Sequence, residues 1–352
     1  MKRSHKLQQA SGSVDLLALA DCVEQFPSKT VVLFGDFVAD EFQYGEISRV
    51  SREAPVLILR HRETHLVPGG GANAANNLAA LGARVLPITA VGDDAAGAAL
   101  IQYFREKSID VSGIMPVKGW ATPTKTRFLA GWAHTVSQQV LRVDHEPQSP
   151  LPELTHKKLA TRLQAKLNSA HALAVSDYGF GVAAPALVRK AVSSRKRPAV
   201  VTLDARHNLH AYAKTGITSA TPNEAEMEAL HHASIGQNLS ELTRCGRATL
   251  AQMKLDSLVV TRGRDGMALF ESGGRITQIL VHGGEQAIDV TGAGDTVLAA
   301  YTLALACNAS PLEAAHIANI AGGLVVMKRG TATVSRAELL AAIRQQAGVA
   351  VS

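Results

Sequence analysis

The sequence predicts an α/β protein whose mostly parallel central sheet has helices on both faces and whose small second β-sheet forms a lid. Short apolar segments, among them 172–178, 199–205 and 257–263, alternate with helical segments. This alternation is typical of buried parallel strands joined by helices. Two β-rich segments, about 37–67 and 121–143, interrupt the alternation. We therefore expect them to pair as the lid.

The chain order of these patterns predicts a tail and a short helix over residues 1–30, one domain over 31–346 that includes both lid segments, and a tail over 347–352. Strands are predicted where short apolar runs rich in β-branched residues occur: 31–36, 84–92, 172–178, 199–205, 218–223 and 257–263. Helices are predicted where longer amphipathic or small-residue runs occur: 14–26, 71–82, 93–107, 152–168, 183–193, 238–253, 292–306, 311–327 and 335–346.

Composition limits the class of protein. The 352 residues are 46% hydrophobic and 19% charged, as in a folded globular protein, and only 4% aromatic, too few for a base-stacking nucleic-acid platform. The net charge of +6 comes from scattered Lys and Arg residues, which favours phosphorylated small molecules over nucleic acid. The three cysteines have no disulfide or zinc spacing, and we find neither a secretory signal nor a membrane-spanning run. We expect a soluble, cytoplasmic protein with no nucleic-acid or membrane partner.

The segment DVTGAGDT, at 289–296, stands directly before a predicted helix. Gly292, Ala293 and Gly294 are small, so their backbone N–H groups can approach an anion at the positive end of the helix dipole. Asp295 would repel a bound phosphate, but its carboxylate suits a general base that takes the proton of an attacking hydroxyl. A glycine-rich turn capped by Asp295 is the purely structural alternative.

The segment PGGGANAANNLAALG, at 68–82, predicts a tight turn at a helix start. Gly69, Gly70 and Gly71 expose backbone there, and Asn73 projects an amide from the first turn. Amides beside exposed backbone suit sugar hydroxyls, which donate and accept hydrogen bonds at once. A flexible turn with helix-capping asparagines is the alternative.

Together these two segments resemble the paired signatures of the PfkB, or ribokinase-like, carbohydrate kinases, and the resemblance runs over about 31–340. It implies that Asp295 is the catalytic base and that the amides of the turn before it stabilise the transferring phosphoryl group. It also implies a sugar site formed by Asp36, Gly69, Gly70, Gly71 and Asn73. The family fold implied is a three-layer α/β/α sandwich with a β-sheet lid.

The resemblance further implies a site for ATP and Mg²⁺. Asn223 and Glu226, in TPNEAE, match an Asn-x-x-Glu motif that orders Mg²⁺ through water. The residues that match a nucleotide-side loop are Thr261, Arg262, Gly263 and Gly266. Taken alone, Asn223 and Glu226 could equally be an N-cap and its capping box. A response to K⁺, found in ribokinase-like proteins, is allowed by the resemblance.

A narrower resemblance concerns the acceptor. Several segments are similar to the D-glycero-β-D-manno-heptose 7-phosphate kinases of lipopolysaccharide precursor synthesis, namely 35–56, 138–146, 176–181 and 325–335. This implies a sugar-phosphate acceptor that is phosphorylated at O1. Phe180 and Arg206 stand where those kinases have lysine, and arginine does not replace lysine in reach or geometry.

The lid residues Lys125, Arg127 and Arg142 are candidates to meet the phosphate of the acceptor. Open edges of the lid strands predict a homodimer. The chain lacks the His-x-Gly-His motif of the bifunctional relatives, so we expect a single function. Two alternatives stay open. One is a PfkB kinase for another sugar, sugar phosphate or nucleoside, and the other is a non-catalytic sugar or nucleotide sensor, for which Asp295 would have no use.

Overall fold

The computed structural model describes residues 14–132, 137–193, 198–283 and 287–349. Its strands are β1 (Thr30–Gly35), β2 (Phe37–Val50), β3 (Leu57–Gly70), β4 (Arg84–Gly92), β5 (Ile114–Val117), β6 (Thr124–Gly131), β7 (Gln138–His145), β8 (Ala172–Asp177), β9 (Val200–Ala205), β10 (Ser219–Ala220), β11 (Ser257–Thr261), β12 (Met267–Glu271) and β13 (Ile276–Ile279). Its helices are α1 (Leu16–Glu24), α2 (Gly71–Ala80), α3 (Ala95–Glu106), α4 (Glu153–Leu167), α5 (Pro185–Val192), α6 (Glu224–His231), α7 (Leu239–Met253), α8 (Ala293–Ala306), α9 (Pro311–Val325) and α10 (Arg336–Gln346).

The central sheet has the strand order β13-β12-β11-β10-β9-β8-β1-β4-β5. All pairs from β11 to β5 are parallel, and β12 and β13 add an antiparallel hairpin at one edge. Side chains of β1 alternate between two buried apolar clusters, with Val31 and Leu33 in one and Val32 and Phe34 in the other. Both faces of the sheet are therefore covered, which confirms the predicted α/β class.

A second, smaller sheet has the order β3-β2-β6-β7 and is called the small sheet below. Strand β2 pairs antiparallel with β3 and parallel with β6, so the two β-rich segments of the sequence meet in one sheet. Register places Asp40 opposite Lys125 and Phe42 opposite Arg127. Because β2 begins only two residues after β1 ends, the small sheet starts at the carboxyl end of the central strands, where ligands bind in such sheets.

Some predicted elements differ from the structure. The strand predicted over 218–223 is only Ser219–Ala220, because Pro222 has no N–H and Asn223 already caps α6. Helix α6, strand β5 and the β12–β13 hairpin were not predicted. The tail predicted before α1 lies outside the described residues up to residue 13, as do residues 350–352. Within the described ranges, no helix combines the length and apolarity that crossing a membrane requires.

Candidate active site

Helix α8 begins with the glycine-rich turn singled out in the sequence. Gly292 is the N-cap and has φ 79°, a left-handed conformation that favours glycine. The bond from the Thr296 N–H to the Gly292 carbonyl, 3.1 Å long, closes the first turn. The N–H groups of Gly294 and Asp295 come before that bond, where a helix has no internal acceptors for its donors. This end of α8 therefore has the chemistry of an anion site.

Asp295 lies in the first turn of α8 with only 3% of its surface exposed. Each of its carboxylate oxygens accepts one hydrogen bond: Asn73 Nδ2 donates to Oδ2 at 2.9 Å, and Tyr178 Oη donates to Oδ1 at 2.9 Å. Burial raises the pKa of Asp295 to about 7, although these two bonds oppose the rise. A carboxylate with such a pKa can take up a proton near neutral pH.

The two signature segments, about 220 residues apart in sequence, are adjacent in the structure. Helix α2 packs beside α8, and Asn77 extends the contact because its Oδ1 accepts from Thr296 Oγ1 at 3.0 Å. Gly70 caps α2 with φ 55°, and the Gly71 N–H donates to the Asp36 carbonyl at 3.0 Å. Asn73 thus orients the candidate base. The contact of Asn73 with a sugar, expected from the sequence, stays a prediction.

The Asp36 carboxylate binds backbone N–H groups of the segment that follows β8. Its side chain is fully buried, and its carboxylate accepts from the backbone N–H groups of Tyr178 (2.9 Å), Phe180 (3.0 Å) and Val182 (2.8 Å). Burial, followed by the charge of Asp177, raises its pKa to about 6. In this structure the Asp36 carboxylate holds the segment after β8 through three backbone N–H groups. The contact between Asp36 and a sugar stays a prediction.

Asp40, which sequence reasoning missed, lies on the side of the small sheet that faces the site. A Cβ on Gly69 would stand 2.5 Å from Asp40 Oδ2, so only glycine admits this carboxylate. Arg127 Nη1 lies 2.5 Å from Asp40 Oδ1, and Thr331 Oγ1 donates to Oδ2 at 3.1 Å. The charge of Asp40 also helps to raise the pKa of Asp295. The available signal was an acidic residue in the otherwise apolar start of β2.

Arg127 is paired already. Besides its contact with Asp40, its guanidinium lies 5.4 Å from the centroid of the Phe42 ring, and its side chain is only 12% exposed. A contact from Arg127 to an acceptor phosphate would therefore compete with a buried ion pair. Arg142 of the small sheet is also paired, with Asp144, but its side chain is 46% exposed and so is open to an added anion.

A cavity of about 660 Å³ lies between the small sheet and the carboxyl ends of β8 and β9. Its lining includes Lys125, Arg142, Asp144, Tyr178, Phe180 and Arg206. Burial and the charge of Arg206 lower the pKa of Lys125, which is the response of a cation crowded by other cations. The carboxylate of Asp144 lies 2.9 Å from Arg142 Nε. The cavity thus offers cations for a phosphate and an acceptor for hydroxyls.

The predicted nucleotide-side residues come together at the end of β11. Asn223 pairs with Thr261 in an isolated parallel bridge, and Gly263 follows in a left-handed conformation with φ 54°. A Cβ on Gly266 would be 2.0 Å from the Ile279 carbonyl, so glycine is required there for packing. The Asn223 and Glu226 side chains form a complete capping box on α6. Asn223 and Glu226 therefore do cap α6. The capping bonds use Asn223 Oδ1 and Glu226 Oε2, which leaves Asn223 Nδ2 and Glu226 Oε1 for solvent or ions.

The Arg262 side chain, in the same segment, is held by protein partners. Its Nε lies 2.6 Å from Glu224 Oε2, and its Nη2 donates to the Gly236 carbonyl at 2.7 Å. Its side chain is 5% exposed. The guanidinium therefore bonds to α6 and to the loop after it. The place of Arg262 in a nucleotide-side loop stays a prediction.

Asp204, at the end of β9, lies near both the start of α8 and Glu226 of α6. Its Oδ2 would be 3.9 Å from a Cβ on Gly294. Burial first, and the charges of Glu226 and Asp295 next, raise the pKa of Asp204 well above its ordinary value, and burial raises that of Glu226. Like charges of this kind favour a divalent cation nearby. In the described ranges, no cluster of three or more His, Cys, Asp or Glu side chains is placed to hold a metal.

Comparisons with known proteins agree on one family. Residues 28–338 match the family described as pfkB family carbohydrate kinase. The chain is 38% identical over 310 residues to the bifunctional protein HldE of Geobacter metallireducens, a match that covers 88% of this chain and 62% of that protein. It is 37% identical over 318 residues to HldE of Geobacter sulfurreducens, with 90% and 63% covered. The chain thus spans less than two thirds of the length of these relatives.

Two solved structures show the same fold. Arabidopsis thaliana ribokinase complexed with ribose and ATP has a TM-score of 0.70 at 20% identity, with 90% of this chain and 99% of that one covered. Escherichia coli phosphofructokinase-2 in complex with substrates and products has a TM-score of 0.73 at 21% identity, with 91% and 99% covered. The predicted ribokinase-like fold is confirmed.

Proposed function

Because the chain belongs to the pfkB family of carbohydrate kinases, and is therefore a phosphotransferase with an alcohol acceptor, we propose that it transfers the γ-phosphoryl group of ATP to a hydroxyl of a sugar phosphate. The acceptor we propose is D-glycero-β-D-manno-heptose 7-phosphate, phosphorylated at O1. The observation that carries this proposal is the cavity lined by Lys125, Arg142 and Arg206 together with Asp144 and Glu146, whose lining residue Tyr178 also donates to Asp295.

In this proposal Asp295 takes the proton of the attacking hydroxyl. Its two oxygens each hold one donor, and a carboxylate oxygen has a second lone pair that stays available for that proton. The N–H groups of Gly294 and Asp295 would face the negative charge that spreads over the transferring phosphoryl group. The base and the anion site thus lie within a single helical turn.

The cavity supports an acceptor with its own phosphate. Lys125, Arg142 and Arg206 approach it from the small sheet and from the end of β9. Phosphate prefers such converging cations, and arginine binds its oxygens in a bidentate manner. Phe180, where heptose kinases have lysine, lines the same cavity, so Arg206 would supply charge at a neighbouring position. Similarity to the two HldE proteins favours a heptose over other sugar phosphates.

Mg²⁺ bound with ATP would neutralise phosphate charge during transfer. Glu226 and Asp204 are the residues that would hold it, through water, because both carboxylates are disfavoured in their charged form without a cation. Asn223 and Thr261 would line the nucleotide beside them. Stimulation by K⁺ stays a prediction.

We also propose a homodimer that forms through the small sheet. Strands β3 and β7 are its edges, and apolar side chains there are exposed, among them Leu57 at 43% and Leu141 at 56%. Open edges and apolar patches of this kind pair readily with a second copy. Sedimentation velocity on the protein and on Leu141→Glu tests this, and a wild-type monomer at micromolar concentration would exclude it.

The test of function is ADP release by purified protein with MgATP and a set of acceptors. The decisive pair is heptose 7-phosphate and the same heptose without phosphate, with fructose 6-phosphate, ribose and a nucleoside as further acceptors. We expect turnover on heptose 7-phosphate and a product with an anomeric phosphate by ³¹P NMR.

Three other outcomes of this assay would change the proposal. Turnover on another acceptor would keep the kinase and discard the heptose. Equal turnover on the phosphorylated and unphosphorylated heptose would contradict the phosphate site. Binding of sugar phosphate and ATP without turnover, in wild type as in Asp295→Asn, would indicate a sensor.

A further inference from the structure

Tyr178 is the first residue after β8, and its hydroxyl lies 2.9 Å from Asp295 Oδ1. The sequence did not single it out. Burial and the charge of Asp295 raise its pKa well above the ordinary tyrosine value. The phenol therefore stays protonated at working pH, so it is a permanent donor to the carboxylate.

Three further contacts hold Tyr178 in place. The buried carboxylate of Asp36 accepts from its backbone N–H and from that of Phe180, two residues on. Two cations lie beside its ring, with Lys125 Nζ 5.4 Å and the Arg206 guanidinium 6.0 Å from the ring centroid. Cations at such distances are attracted to the face of an aromatic ring.

Both cations also line the 660 Å³ cavity. An anion bound there would contact Lys125 and Arg206, the two cations beside the Tyr178 ring. The hydroxyl of that ring donates to Asp295. The Tyr178 side chain, whose backbone is held by Asp36, thus connects the cavity to the candidate base, and the charge of Lys125 also acts on Asp295 directly.

We propose that Tyr178 is the positioning residue of the phosphoryl transfer: its hydroxyl fixes and tunes Asp295, and its ring is set by the cations that bind the acceptor phosphate. This inference deepens the proposed function and rests on it, because it assigns a substrate phosphate to Lys125 and Arg206. Tyr178 itself exchanges no proton. The proton of the acceptor hydroxyl goes to Asp295, and the phenol keeps its own.

Two substitutions separate the hydroxyl from the ring. Tyr178→Phe keeps the ring beside the two cations and removes the donor, so kcat should fall about tenfold while KM for the sugar phosphate changes less than twofold. Without that donor the charged form of Asp295 is less stable. The acidic limb of the pH profile should therefore move up by about one pH unit. Tyr178→Leu removes the ring as well, and KM should then rise too.

The matched control is Tyr212→Phe. Tyr212 is another buried tyrosine, and its single O–H lies within hydrogen-bonding reach of Asp177 Oδ2, at 2.7 Å, and of the Ala183 carbonyl. This substitution should lower the unfolding temperature and leave the acidic limb where it is. A shift of the limb in Tyr178→Phe alone supports the positioning role, and an equal shift in both variants overturns it.

A second measurement does not depend on turnover. The titration of Asp295 can be followed by infrared difference spectroscopy, with Asp295→Asn identifying its carboxylate band. An upward shift of this titration in Tyr178→Phe supports the contact, and an unchanged midpoint overturns it. If wild type phosphorylates no sugar phosphate, the proposed function fails, while the titration still decides whether Tyr178 tunes the carboxylate.

Discussion

Gly292, the N-cap of the helix that carries Asp295, lies directly against Asn73 of the first signature: a Cβ on Gly292 would be 2.5 Å from Asn73 Nδ2. That same amide nitrogen donates to Asp295 Oδ2. The two signature segments are thus in contact at the candidate base, and the space for this contact depends on the absence of one side chain.

Gly292→Ala should therefore impair activity. The new methyl group would displace Asn73 from Asp295 and would strain a backbone with φ 79°, at a cost of about 1 to 2 kcal/mol in unfolding free energy. We expect kcat to fall at least tenfold. The control is Gly274→Ala, which has φ 86° and no heavy atom within 4 Å of its Cβ. It should show the strain in urea unfolding with normal kcat, and equal kcat values in the two variants would count against the contact.

Asp295→Asn should lower kcat by roughly 10² to 10⁴-fold, the range that general-base catalysis supplies. Because the pKa of Asp295 is raised to about 7, its charged, proton-accepting form grows as pH rises through neutrality. We expect wild-type kcat/KM to increase from pH 6 to pH 8 and the residual activity of the variant to be flat over that range. Intact turnover with weakened binding would assign Asp295 to substrate binding instead.

Asp36→Asn should destabilise the protein, although the change is isosteric. An amide has only one acceptor oxygen for the three N–H groups that the carboxylate serves, so at least one buried N–H loses its partner. The expected loss is about 2 to 3 kcal/mol in the urea unfolding free energy. Asp21→Asn, on the exposed side of α1, is the control and should be neutral. A stability equal to wild type would show that Asp36 does not fasten the segment after β8.

Arg206→Ala should raise KM for a sugar phosphate about 10 to 100-fold, the equivalent of one lost charge-assisted bond to phosphate. KM for an unphosphorylated acceptor should change little, because Arg206 lines the cavity next to the small sheet. Arg244→Ala removes an exposed arginine that pairs with Glu241 on α7 and should leave every KM unchanged. A parallel rise for phosphorylated and unphosphorylated acceptors would argue against the phosphate contact.

Local patterns predicted the elements near the site well. The strand predicted over 84–92 coincides with β4, and the helices predicted from residues 71 and 292 begin at Gly71 and Ala293. Apolar runs and glycine turns are encoded by neighbouring residues, so they can be read without tertiary context. Antiparallel strands β12 and β13 were missed because they are only five and four residues long.

Side-chain partners were harder to predict. Asp36 and Asp40 are four residues apart, yet one is buried under three N–H groups and the other pairs with Arg127 at the small sheet. Arg262 matched a nucleotide-side loop in the sequence, and the structure adds that its guanidinium pairs with Glu224. Nothing in the immediate sequence distinguishes these outcomes, because each depends on the direction of a side chain relative to a distant segment.

The sequence by itself determined the fold class and the two glycine-rich helix starts, since both arise from hydrophobic periodicity and from backbone conformations that few residues allow. Tertiary structure decided the surroundings of Asp295: Asn73 on one oxygen, Tyr178 on the other, and the cations beside the tyrosine ring. These groups come from four separate parts of the chain. Only the packing of α2 on α8 and of the small sheet over the central strands brings them within hydrogen-bonding and electrostatic range.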